Sequence, residues 1–112
     1  GTNLGSDTYL SVEEIPRIQN CTAALFLAHA ATSTVQDAGI TYSLATTTGA
    51  AAGNRYDEAV YAIPGTNPCI GVRYWIHYGV LENYPPGSIV PFNPDTVVSQ
   101  FDAIRRTLRI VQ

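Results

Sequence analysis

The chain has 112 residues, 46% of them apolar and 13% charged, with six arginines, no lysine and a net charge of -3. That length holds one hydrophobic core, so a single domain over residues 1–112 is expected, and the low charge excludes a solvated, disordered segment. The negative balance argues against nucleic acid as a partner, because phosphate binding needs a positive field, and no window approaches the roughly 20 apolar residues that insertion into a membrane requires.

The first ten residues carry no clear period and read as an arm or an edge segment. Ser11-Val12-Glu13-Glu14 has the pattern of a capping box, and Pro16 interrupts any helix that starts there. A short helical turn at 11–15 and a longer helix from Pro16 follow, since proline is tolerated at a first helical position. Ile18, Cys21, Leu25, Ala28, Thr32 and Val35 recur at steps of three and four, an apolar stripe that Gly39 would end. A buried strand through Cys21 to Ala28 is the rival reading, and the many alanines favour helix. His29, beside this stripe, reads as a partly buried structural residue.

Ile40 to Thr47 has the β-branched and aromatic content of a strand, and Thr48 to Asn54 reads as a small-residue loop with two glycines. A strand from Arg55 to Ile63 and a turn through Pro64-Gly65-Thr66-Asn67-Pro68 come next. The clearest β pattern is Ile70 to Val80. Ile70, Val72, Tyr74, Ile76, Tyr78 and Val80 alternate there with Gly71, Arg73, Trp75, His77 and Gly79, and the first set is expected to face the core. Glu82 to Phe92 reads as an ordered loop in which Pro85-Pro86-Gly87-Ser88 suits a type II turn. Asn93-Pro94-Asp95 supplies an N-cap, a first-turn proline and a carboxylate favoured by the helix dipole. The helix that follows places Val97, Phe101, Ile104 and Leu108 on one face, with Arg105, Arg106 and Arg109 on a solvated one. The predicted fold is α+β: an antiparallel sheet of three or four strands with two helices packed on it, in the order α-β-β-β-α.

Cys21 and Cys69 are not spaced as metal ligands and have no second pair to complete a zinc site, so no metal or cofactor is expected. A disulfide is the simpler reading, and it points to an oxidising compartment and a secreted or periplasmic protein; two buried thiols in a cytosolic protein are the alternative. Asn20-Cys21-Thr22 also matches a glycosylation sequon. The pairing raises a conflict. Cys21 lies on the buried stripe of its predicted helix, whereas Cys69 shares strand parity with Arg73 and not with Val72. Either Pro68 shifts the register, or the first helix covers the face that carries Arg73.

Arg73, Trp75 and His77 stand in a row on one strand face. Should Glu58 face the same way on a neighbouring strand, a carboxylate, a guanidinium and an imidazole would meet, a set able to move protons and stabilise an oxyanion. That set suits a small hydrolase of phosphodiesters with ribonuclease-like chemistry. The plainer reading is a half-exposed strand face with Trp75 covered and Arg73 and His77 at its rim, Glu82 being a possible ion partner of His77. No Gly-x-Ser-x-Gly elbow is present, and a disulfide-bonded cysteine is no nucleophile. Seven tyrosines and one tryptophan shift the weight toward binding. Trp75 and the stiff loop with Tyr84, Pro85 and Pro86 would provide contact area at small entropic cost. The leading expectation is a secreted or periplasmic binding protein, an inhibitor or immunity-type partner of another protein, with the hydrolase as the alternative.

Overall fold

The computed structural model describes residues 1–110. Its strands are β1 (Tyr9–Ile15), β2 (Thr32–Asp37), β3 (Ile40–Ala51), β4 (Asn54–Ala62) and β5 (Cys69–Gly79), and its one α-helix among the described residues is α1 (Pro94–Arg105). Single turns of 3-10 helix occur at Ala23–Leu25 and Leu81–Asn83. The strands form one five-stranded antiparallel sheet in the order β1-β5-β4-β3-β2. The fold remains α+β in the broad sense, but the expected pair of helices on three or four strands is incorrect: there are five strands and one helix.

Both errors lie in the first third of the chain. The expected helical turn at 11–15 is strand β1. Tyr9, Ser11, Glu13 and Ile15 alternate at a period of two, and β1 pairs with β5 over its whole length, from Tyr9 opposite Trp75 to Ile15 opposite Cys69. Ser11 donates its hydroxyl hydrogen bond to Glu13 Oε2 at 2.7 Å, so it caps nothing. A continuous antiparallel ladder satisfies a backbone donor and acceptor at every second residue of this edge strand, more than a local box offers.

The helix expected from Pro16 is also absent. The chain bends through positive φ at Arg17 (58°) and His29 (67°), which no right-handed helix can include, and helical bonding is confined to the turn Ala23–Leu25. Thr32, Thr34 and Val35 belong to β2, as their β-branched side chains suit. Gly39 ends no helix. With Ala38 it forms a two-residue hairpin turn in which both residues have positive φ (50° and 82°), joining β2 to β3. Ala52 and Gly53 repeat this geometry between β3 and β4 (49° and 83°), so the expected loop at 48–54 is mostly strand.

The sheet is covered on both sides. Residues 16–31 fold over the face that carries Cys69 and Arg73, and the Cys21–Cys69 disulfide ties them down with a Cα–Cα distance of 5.3 Å. Cys21, Ala23, Ala45, Val60, Ala62 and Cys69 are buried there, with Phe26 and Leu27 packed against them. The register conflict is thereby resolved, because the first covering segment lies on the face read from sequence as polar. Phe26 lies flat on Gly71, where a β-carbon would come within 2.8 Å of its ring. Thr66 braces the loop before β5, donating to the Ile63 carbonyl at 2.8 Å and accepting from the Ile70 amide at 3.0 Å.

Helix α1 packs on the opposite face, over Tyr42, Val72, Tyr74 and Ile76, all buried. Asn93 Oδ1 accepts from the Asp95 amide at 3.0 Å and Pro94 occupies the first turn, as the sequence predicts. The helix's inner stripe differs from the expected one. Ile104 is 47% exposed, whereas Arg105, expected in solvent, is only 3% exposed. Its guanidinium lies over the rings of Tyr42 and Tyr61, 4.8 and 4.3 Å from their centroids. Nε donates to Tyr74 Oη at 2.8 Å, Nη2 donates to Asp102 at 3.2 Å, and Nη1 lies 2.9 Å from Asp37 Oδ2 on β2.

Candidate functional site

The alternation of β5 places Arg73, Trp75 and His77 on one face, as the sequence predicts, and the roof formed by residues 16–31 covers only the Arg73 end of it. Beyond Arg73 the face carries aromatic rings from three strands. Tyr9 on β1 lies opposite Trp75, and Tyr56 on β4 lies opposite His77. Their rings stack in a row: Tyr9 to Trp75 at 6.4 Å, Trp75 to Tyr56 at 5.1 Å and Tyr56 to His77 at 4.8 Å between centroids. Directly paired strand positions are close enough for such contact. Trp75 and Tyr56 are half-buried, and Tyr9 at the sheet edge is 44% exposed.

The proline loop flanks the other end of this row. Tyr84 leans on Gly79, where a β-carbon would lie 2.8 Å from its hydroxyl oxygen, on the side of β5 that carries His77. Asn83 Nδ2 donates to the Gly53 carbonyl at 2.8 Å, fixing the start of the loop to the β3–β4 turn. Pro85-Pro86-Gly87-Ser88 forms the expected turn. Gly87 has φ 76°, and the Ser88 amide and hydroxyl both donate to the Pro85 carbonyl, at 3.0 and 2.7 Å. Pro85 and Pro86 are exposed.

Glu58 shares the face of Arg73 and bonds directly to its Nη1. Arg73 also donates from Nε to Glu13 Oε2 at 2.7 Å, and from Nη2 to Glu13 Oε1 at 3.1 Å and to the Phe26 carbonyl at 2.9 Å. Its guanidinium thus joins two strands to the covering segment. His77 stands apart from this cluster. Asp7 Oδ1 lies 2.6 Å from its Nδ1 and Asn54 Oδ1 lies 2.8 Å from its Nε2, so Asp7 and not Glu82 is its ion partner. The structure brings Glu58 and Arg73 together and leaves His77 in a separate set, with Trp75 and Tyr56 between them. His29 is exposed on its loop. Among the described residues no three His, Cys, Asp or Glu side chains converge as a metal site requires, and no helix is long and apolar enough to cross a membrane.

These ion pairs give stability a defined pH dependence. Hydrogen bonding from Arg73 holds the Glu13 carboxyl below the ordinary 4.5, and bonding from Arg106 and then Arg105 holds Asp37 below 3.8. The His77 bond likewise lowers Asp7. A carboxyl whose pKa is depressed by folding stabilises the native state in full above its unfolded value, and that contribution disappears as pH falls through the folded value. The urea midpoint is therefore expected to hold level down to about pH 5 and to fall steadily below about pH 4. A midpoint unchanged between about pH 5 and pH 3 would show that these pairs contribute nothing net.

No family model, curated protein or solved structure matches this chain. Sequence reasoning missed Tyr9, Asp7 and Asn54 as parts of the site. Only the two-residue alternation of Tyr9, Ser11, Glu13 and Ile15 could have revealed the first; Asp7 reaches His77 from the turn before β1 and Asn54 through the pairing of β4 with β5, and no local pattern encodes either contact.

Proposed function

We propose that this chain is a secreted or periplasmic binding protein that engages another protein, in the manner of an inhibitor or immunity partner, through the Trp75 row and the Tyr84–Gly87 loop. The observation that carries the reading is the contiguous row of Tyr9, Trp75 and Tyr56 on an open sheet face, with the ordered proline loop on the same side. Stacked rings hold one another in place before any partner arrives, so little freedom is lost on docking. Half-exposed aromatic side chains in such a patch are the usual anchors of protein interfaces. The buried disulfide suits an oxidising compartment. The binding reading is preferred to the hydrolase because Arg73, Glu58 and His77 each already hold a partner within the protein.

The test is a pull-down from the native compartment, followed by titration of the retained protein. Trp75 is the only tryptophan, so its fluorescence reports occupancy directly. Trp75→Ala is expected to weaken binding by about 30-fold, the loss typical of a central anchor, with circular dichroism confirming the fold. A partner whose binding leaves Trp75 fluorescence unchanged and is indifferent to both Trp75→Ala and Tyr9→Ala would sink the proposal.

A further inference from the structure

The second half of β3 has a free edge. β2 pairs with β3 only as far as Thr32 opposite Ala45, while β3 continues to Ala51 and pairs inward with β4 as far as Ala51 opposite Asn54. Thr46 to Ala51 therefore lack an outer neighbour among the described residues, and all six are exposed. Alternate residues of such a strand direct their amide and carbonyl outward, a template for one more strand. Edges are commonly guarded by charge, proline or a bulge. This one carries Thr-Thr-Thr-Gly-Ala-Ala, with neither charge nor proline. The opposite edge strand, by contrast, holds Glu13 and Glu14.

A cavity of about 270 Å³ adjoins this edge, between the first turns of α1 and the sheet. Ala59, Ile76, Pro94 and Val98 give it mostly apolar walls, Asp57 also lines it, and Thr46 and Thr48 stand at its strand side. A strand added beside β3 would project every second side chain to this face, one strand spacing from those threonines. Only a large side chain would cross them, and the mostly apolar lining favours an apolar one. A second copy pairing through the same segment offers only threonine, glycine and alanine, and would leave the cavity empty.

We propose that Thr46–Ala51 is a docking edge that takes up one extended segment of another protein, seating a Leu, Ile, Met or Phe side chain in the cavity beneath the start of α1. Main-chain pairing supplies affinity and the cavity supplies selectivity. The site is separate from the Trp75 row and does not depend on it.

The test selects displayed random peptides of about ten residues, long enough to span the edge, against the whole chain. The best one is then synthesised and titrated while backbone amide NMR and Trp75 fluorescence are followed. Enriched peptides are expected to share one large apolar residue, and the synthetic peptide to protect amides within Thr46–Ala51 without changing Trp75 fluorescence. Methylating alternate peptide nitrogens, changing the apolar residue to glutamate, or introducing Thr48→Lys in the protein should each weaken binding by about tenfold or more. Thr48 is exposed, so Thr48→Lys leaves the core intact. Three results would overturn the inference: no enriched peptide, a peptide that alters Trp75 fluorescence and tolerates Thr48→Lys, or a protein that dimerises through this edge. The second would still favour the Trp75 row as an interface, so the two readings fail separately.

Discussion

Replacing Cys21 and Cys69 together by alanine is expected to lower the free energy of unfolding by about 4 kcal/mol. The bridge joins residues 48 apart in sequence, and a closed loop of that length removes much of the freedom of the unfolded chain. Against the roughly 5–15 kcal/mol typical of a domain, the loss is large. The bridge also joins the covering segment to the face of β5 that it buries. Without it, Ala23, Phe26 and Leu27 are held there by apolar contact, by the donation from Arg73 to the Phe26 carbonyl and by the donation from the Ala23 amide to Ser43 Oγ at 3.0 Å. Urea denaturation of the oxidised protein and the double variant measures the difference. A loss below about 1 kcal/mol would mean that packing and these hydrogen bonds hold residues 16–31 in place without the bridge.

The second large effect is expected from Arg105→Leu, which should cost about 3–5 kcal/mol. Removing this buried cation leaves its partners short of a donor in a desolvated site: Asp37 keeps Arg106, Asp102 keeps the Tyr74 hydroxyl, and the Tyr74 oxygen loses the Arg105 donation. Arg105 serves Asp37, Asp102 and the Tyr74 hydroxyl, and it fills the space between the rings of Tyr42 and Tyr61. The Tyr74 hydroxyl titrates well above its ordinary value, through burial and its hydrogen bond to Asp102. Arg106 makes a sharp comparison. It also bonds Asp37, at 2.9 and 3.1 Å, but is 47% exposed, so Arg106→Ala should cost far less than Arg105→Leu. Equal losses for the two arginines would show that the difference in their burial is without consequence.

Legibility along the sequence followed the range of the interactions that decide each element. β5 was readable because eleven residues alternate without interruption between apolar and other side chains. The start of α1 was readable because Asn93, Pro94 and Asp95 act on the backbone beside them. The row of Arg73, Trp75 and His77 followed from the same alternation, and so did part of the binding face. The segment from Ser11 to Val35 was misread. Its capping pattern and its apolar steps of three and four are weak local preferences, and ladder pairing outweighs them when β1 meets β5 and β2 meets β3. Arg105 was misplaced because a charged residue enters the interior only where enough partners converge, and its partners come from β2, β5 and α1.

By itself the sequence determined the periodicity of β5, the cap of the last helix, the turn at Pro85–Ser88 and the pairing of the two cysteines, each governed by short-range geometry or by the lack of any other partner. Tertiary structure alone decided which face the covering segment takes, which arginine is buried, that Glu58 meets Arg73 while His77 meets Asp7, and that half of β3 has no outer neighbour. These outcomes depend on contacts between residues distant in the chain, formed only where they lower the free energy of the whole fold, and no local pattern of residues encodes that comparison.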